Sequence, residues 1–219
     1  MIANGRAAQL RGHLGRALDN RVTPGEISEL VAHLAFYAGW PVAISVVHET
    51  KTVFDQRGVR VPAAATEQLP LDEAAEARRR AAVQASVGVV APPLADLTNR
   101  VLFNDLWRRP GLAPRDRSLV TVAALIATGQ TEQMPFHVNR ALHAGLTEAQ
   151  LSEVVTHLGF YAGWPRAMSA VPVVQKPRPS SYVTCPVEMG GAPLYALVRV
   201  GKRWVWLRFG RLGWERHDR

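Results

Sequence analysis

The chain has 219 residues, 47% of them hydrophobic, and a formal net charge of +8. That length buries one sizeable core or two small ones. The longest apolar run, Leu119 to Ala127, is about half of the twenty or so residues a bilayer crossing needs, and Met1 is not followed by a basic and then apolar leader. Five of the eight net charges fall in residues 177–219, so the basicity describes a tail and gives no reason to read the body as a nucleic-acid binder.

The sequence says nearly the same thing twice. Residues 4–47 lie over residues 128–171 without a gap at a constant offset of 124, and roughly half of the pairs are identical. The densest agreement is His33-Leu34-Ala35-Phe36-Tyr37-Ala38-Gly39-Trp40-Pro41 against His157-Leu158-Gly159-Phe160-Tyr161-Ala162-Gly163-Trp164-Pro165, with His13 over His137 and Arg16 over Arg140 ahead of it.

In chain order, the first copy occupies residues 1–58. It starts late, because Met1-Ile2-Ala3 pairs with Leu125-Ile126-Ala127, the end of an apolar helix in the second copy. A first half lacking that element leaves apolar surface for a partner or the tail to cover. Residues 59–93 read as a linker with a polar, Arg-rich helix over 72–84, closed by Pro92-Pro93; Leu94, Leu97, Val101 and Leu102 then form a stripe leading to Phe103-Asn104-Asp105-Leu106-Trp107. The second copy, residues 94–176, predicts four helices. The first runs from Ser118 to Thr128, apolar nearly all round, with Pro114 in its first turn and Gly129 as its stop. The second runs over 131–143 and ends at Gly145. The third opens on a capping box, Thr147-Glu148-Ala149-Gln150, matched by Thr23-Pro24-Gly25-Glu26. The fourth leaves from Pro165 after the break at Gly163-Trp164. Residues 177–219 are rich in Pro, Gly, Arg and Trp; Leu194 to Val200 and Arg203 to Phe209 predict a β-hairpin. That tail reads either as an extension without chemistry or as a basic docking element for acidic surfaces or nucleic acid. Its Cys185, the single cysteine of the chain, has no internal disulfide partner, and cytoplasmic residence follows.

The run Leu112-Ala113-Pro114-Arg115-Asp116-Arg117-Ser118-Leu119-Val120-Thr121, followed by Gly129-Gln130-Thr131-Glu132-Gln133-Met134-Pro135-Phe136-His137 and then by His157 to Pro165, resembles the carboxymuconolactone decarboxylase family. The resemblance covers the second copy and the shortened first one. It implies an all-α fold, two repeats of an alkyl hydroperoxide reductase D-like bundle, and assembly of several copies into rings of three or six.

Two chemistries occur in that family. The peroxidase branch carries Cys-x-x-Cys-x-x-x-His, in which a low-pKa thiolate attacks peroxide and a second thiol resolves it. Here both thiol positions, Gln130 and Gln133, are glutamine, which disfavours a peroxiredoxin-type oxidoreductase. The decarboxylase branch needs no thiol and no cofactor: loss of carbon dioxide from an unsaturated lactone acid leaves a dienolate that must be stabilised and then protonated on carbon. His137 is the candidate acid/base because an ordinary imidazole titrates near neutrality. Glu132, read at the start of the same helix, is its partner. Arg117 or Arg140 is the clamp for a substrate carboxylate, and His157 and Trp164 complete the substrate-binding set. A histidine such as His33 or His157 in apolar, aromatic surroundings is more often a satisfied core group than a catalyst, and Tyr161 and Trp164 are more often packing residues. His137 and His143 are six apart on different faces, so no metal is expected.

The first copy keeps His13 and Arg16 but has Ala8 in place of Glu132, which favours the second copy as the active half. The expected partner is a small carboxylic acid or lactone. A non-catalytic oligomeric binding module is the reading from a different class.

Overall fold

The structure, a computed structural model, describes residues 1–63 and 65–175, together with the backbone of three strands further on. By its contacts the chain separates into two units, Met1–Tyr182 and Val183–Arg219. In the second unit β1 (Tyr195–Val200) pairs antiparallel with β2 (Arg203–Gly210), and β2 with β3 (Gly213–His217). The proposed hairpin turn at 201–202, Leu194 and Cys185 lie outside the described residues, as does most of the basic tail.

Among the described residues the first unit is helical throughout. The first repeat gives α1 (Leu10–Asp19), α2 (Pro24–Ala38) and α3 (Trp40–Arg57); α4 (Glu73–Val83) and α5 (Pro92–Leu97) form the connection; α6 (Pro114–Thr128), α7 (Met134–His143), α8 (Glu148–Ala162) and α9 (Trp164–Gln175) make the second repeat. The duplication is therefore structural as well, since α7 and α8 repeat the bounds of α1 and α2 at the same offset. Both capping boxes are formed. Thr23 Oγ1 accepts from the Glu26 amide at 3.2 Å while Glu26 accepts from the Thr23 amide at 2.8 Å, and Thr147 and Gln150 exchange the same pair at 3.1 and 3.0 Å. Gly39 and Gly163, at φ 97° and 96°, supply the break between α2 and α3 and between α8 and α9, a turn that a side chain at this dihedral would strain.

Two details depart from the sequence reading. The second predicted helix of copy two starts at Met134 and not at 131, since residues 131–133 form a turn that leaves Gln130, Glu132 and Gln133 exposed. In the connection, α5 runs into a π-helical stretch, Thr98–Phe103. Ala95 and Phe103 are buried while Leu94 and Leu97 of the expected stripe are exposed.

The first repeat needs no outside element to close its core, because α6 serves both repeats. Ala124 belongs to the buried cluster of Ile2, Leu10, Leu14, Ile27, Val31, Leu34, Val46, Val53 and Phe54, with Val120 packed on it. From the other side of the same helix, Val122, Leu125 and Ile126 enter the cluster of Met134, Val138, Ala141, Leu151, Val155 and Ala170. A helix apolar nearly all round is what such a two-sided position requires. The core element that the first copy lacks is thus supplied by α6.

One polar chain crosses the apolar contact between α2 and α6. The Arg117 guanidinium has no solvent exposure; it donates to Glu29 Oε1 and to the Arg109 carbonyl, both at 2.9 Å, and to His33 Nδ1 at 3.2 Å. His33 Nε2 lies 2.7 Å from Thr121 Oγ1, and that hydroxyl spends its proton on the Arg117 carbonyl at 2.8 Å. Thr121 must therefore accept from Nε2–H, which fixes His33 as the neutral tautomer with Nδ1 free to accept. Burial, and then the Arg117 charge, push the His33 pKa down to about 3. No helix among the described residues is long and apolar enough to cross a membrane.

Two outcomes follow. Arg117→Ala strands the Glu29 carboxylate and His33 Nδ1, and equilibrium unfolding in urea should show a loss of about 3–5 kcal/mol. For His33, the unfolded chain takes up a proton near pH 6.5 that the folded chain refuses until about 3. Its contribution to stability is thus complete above about pH 6.5 and is lost as pH falls from there, at up to about 1.4 kcal/mol per pH unit. His33→Gln should flatten that acid limb relative to wild type; an unchanged slope would contradict the assignment.

Candidate active site

The candidate site lies where α7 of the second repeat meets α2 of the first, with α4 and the segment before α6 closing the sides. His137, on α7, is 7% exposed. Its ring stacks on Trp107 (centroids 5.8 Å apart, planes at 18°) and meets the edges of Tyr37 at 5.3 Å and Phe136 at 5.0 Å. Its Nδ1 is buried and has no hydrogen-bond partner among the described residues. Burial, with a smaller push from the Arg140 charge, lowers the His137 pKa to about 3. The sequence reading took an imidazole titrating near neutrality; the structure instead makes it a neutral ring. The apolar aromatic cage is the physical reason.

Arg140 follows three residues later, on the same side of α7. Its guanidinium carbon sits 4.2 Å from the Trp107 ring centroid and 5.7 Å from that of Phe103. Among the described residues it makes no ion pair and no hydrogen bond. Burial holds its pKa below the ordinary guanidinium value, with the Arg79 and Arg117 charges adding to the depression and Tyr37 and Glu76 opposing it. The neighbouring guanidiniums are matched: Arg79 donates to both Glu76 oxygens at 2.8 and 2.5 Å and to Asn99 Oδ1 at 2.9 Å, and Arg117 pairs with Glu29. Arg79 lies 4.0 Å over the other neighbour of the cage, Phe103, and its buried Nη1 has no partner among the described residues. The site therefore presents an uncompensated cation beside a neutral imidazole on an aromatic wall, which suits an anion with an unsaturated or planar body.

The residues singled out in the sequence separate into groups. His137 and Arg140 are together. Arg117 is nearby but sealed, with its donors committed to Glu29, His33 and a backbone carbonyl apart from a buried Nε, so it is not open to an incoming carboxylate. Glu132 is exposed in the turn ahead of α7, outside the helix on which it was expected, and none of the described hydrogen bonds or ion pairs includes it. His157 and Trp164 stand elsewhere. His157 is exposed and stacks on Tyr161 at 4.8 Å; Trp164 is 59% exposed and packs against Phe160 and Gly159. They belong to the mirror image of the candidate site. The contact of His137 with Tyr37 is repeated by His13 with Tyr161 at 5.7 Å, and the His33–Tyr37 stack by His157–Tyr161. In the mirror half Tyr161 and His13 are part-exposed, without a described tryptophan, guanidinium or carboxylate packed over them.

Sequence reasoning missed Tyr37, Trp107, Phe103 and Arg79. Tyr37 was visible in the repeated block, and its role follows once the two copies are placed face to face: the tyrosine of one repeat meets the histidine of the other. Trp107 Nε1 donates to Tyr37 Oη at 3.0 Å, a pairing across 70 positions that no local pattern signals. Among the described residues no group of three or more His, Cys, Asp or Glu side chains stands close enough to hold a metal ion.

Residues 1–52 and 92–176 match the carboxymuconolactone decarboxylase family. Two curated relatives are similar over part of the chain. The 4-carboxymuconolactone decarboxylase of Acinetobacter baylyi is 33% identical over 78 residues, which is 36% of this chain and 58% of the relative. The nitrosuccinic acid decarboxylase of Metarhizium robertsii is 32% identical over 84 residues, 38% of this chain and 59% of the relative. The chain thus spans somewhat under three fifths of the length of the curated relatives it matches. Helix α4, which brings Glu76 and Arg79 to the site, falls between the two matched stretches. The cage around His137, assembled from both repeats, is built on the matched segments, and the chain belongs to the carboxymuconolactone decarboxylase family.

Proposed function

We propose that the chain decarboxylates a small unsaturated acid of the carboxylated-lactone type without a cofactor. The observation that carries this reading is Arg140, a half-buried guanidinium with no counter-ion among the described residues, stacked on Trp107 one helical turn from a neutral, caged His137. A substrate carboxylate supplies the missing charge. Arg140 holds it bidentately, and the flat ring of the substrate lies along the aromatic wall.

His137 begins the cycle as a neutral ring. An acid bound against Arg140 offsets the smaller of the two pushes on the imidazole and places negative charge beside it against the larger one, burial, so the bound complex holds a proton on the ring more readily than the free protein. When the carbon–carboxylate bond breaks, the electron pair moves into the conjugated system and on to the lactone oxygen; the imidazolium then returns its proton to carbon. Glu132, exposed ahead of α7 and without a partner among the described residues, fits a part in exchanging that proton with solvent better than orienting the ring. Arg117 fits a structural part. Both named relatives are decarboxylases of acids, in keeping with this reading. Gln130 and Gln133 leave a thiol peroxidase without its nucleophile.

Self-association belongs to the same proposal. Phe36, Trp40, Ile44 and Val47 on the first repeat, and Phe160, Trp164 and Met168 on the second, form equivalent exposed apolar patches.

The test is release of carbon dioxide from 4-carboxymuconolactone by the purified chain. Arg140→Gln should lower kcat/KM about 10- to 100-fold, mostly through KM. His137→Gln should lower kcat by about 10²–10⁴ with KM little changed. Full turnover by His137→Gln would remove the assigned role.

A further inference from the structure

Tyr37 is the group in the cage that the reading above leaves idle. It comes from the first repeat and packs against both cores. Its ring is clamped between the His33 stack at 4.9 Å and the His137 edge at 5.3 Å. Its oxygen accepts from Trp107 Nε1 at 3.0 Å, and the described residues offer no acceptor for its own proton. A half-buried hydroxyl that accepts from Trp107 and has no acceptor among the described residues keeps its own proton available to a ligand. Burial raises its pKa above the ordinary tyrosine value, and the charges of Arg140, Arg117 and Arg79 all act on it, so it stays a phenol in a field that favours negative charge.

We infer that Tyr37 is a catalytic residue that donates its hydroxyl hydrogen bond to the oxygen on which negative charge develops as the substrate loses carbon dioxide. This inference rests on the decarboxylase reading. In the step, the carbon–carboxylate bond breaks and carbon dioxide leaves. The bonding pair passes through the carbon–carbon double bond to the lactone carbonyl oxygen. Tyr37 keeps its proton and shortens its hydrogen bond to that oxygen, with Trp107 behind it holding the phenol in place. The proton that completes the product arrives at carbon from His137. Donors held rigidly at a developing oxyanion act on the transition state more than on the bound acid, so Tyr37 should affect kcat more than KM.

Two ligands separate this role from packing: tetronate, a ring enolate ionised at neutral pH, and succinate, a plain dicarboxylate. Calorimetric titration of wild type should detect both. Tyr37→Phe, which keeps the ring, should weaken tetronate about 10- to 100-fold and change succinate by less than about twofold; kcat for the lactone acid should fall with KM nearly constant. Tyr161→Phe, in the mirror half, should change neither affinity. If Tyr37→Phe does not fold, 3-fluorotyrosine at position 37 keeps the shape and strengthens the donor, and should tighten tetronate selectively. Equal loss of both ligands in Tyr37→Phe, or none, overturns the assignment of Tyr37 while wild-type turnover leaves the decarboxylase reading standing. Wild type that neither binds these anions nor releases carbon dioxide overturns both.

Discussion

A guanidinium without solvent exposure, Arg117, joins α2 to α6, and the geometry of the site depends on that junction. Its charge is met by Glu29, its side donors are met by a backbone carbonyl and His33 Nδ1, and His33 passes the pattern on to Thr121. Buried ion pairs add little net stability but penalise every arrangement in which one partner is lost. The chain therefore fixes the register of the first repeat against the second. Tyr37 stands one turn beyond His33 on α2, so fixing His33 also fixes where Tyr37 meets His137. A duplication that places two like bundles face to face needs some asymmetric element to select one face as the site, and α6 with its arginine is that element.

The charges around the cage are distributed unevenly. Glu29 answers Arg117 and Glu76 answers Arg79, while Arg140, which feels Glu76 only at a distance, packs among the described residues on the face of Trp107 and the more distant ring of Phe103. A cation half withdrawn from water with no ion-pair partner among the described residues is costly, which is what the proposed substrate carboxylate would relieve. The same withdrawal from water makes His137 neutral. In the proposed decarboxylation, ligand charge and imidazole charge are linked: the anion held by Arg140 would also favour a proton on the ring. In the mirror half, His13, Tyr161 and His157 are spared this environment because nothing among the described residues closes over them.

Much of the fold was legible because it is written in local signals. The two capping boxes, the stop at Gly129, the breaks at Gly39 and Gly163 and the constant offset between copies each depend on residues within one turn of the event they cause. The all-round apolar character of residues 118–128 pointed to a buried helix, yet its sharing between two cores was not legible, because the first repeat alone looks incomplete. Among the candidate residues, His137 came from the family frame and Arg140 from its spacing on the same helix. Tyr37, Trp107 and Arg79 come from three other segments, and their meeting depends on how helices pack. The choice between Arg117 and Arg140 as clamp could not be made from residue type: both are arginines near the histidine, and only burial and partners distinguish the sealed one from the available one. Glu132 was misplaced because the helix starts two residues after it, at Met134.

The central claim is that a neutral imidazole and an uncompensated guanidinium share one cage and respond together to an anion. The most direct measurement is the nitrogen-15 NMR titration of the His137 ring in the free protein and with a saturating, unreactive dicarboxylate. The account predicts an uncharged ring throughout the range near neutrality in the free protein and uptake of a proton when the acid is bound, with the response abolished in Arg140→Gln. A ring that titrates near pH 6.5 in the free protein and ignores the acid would contradict it.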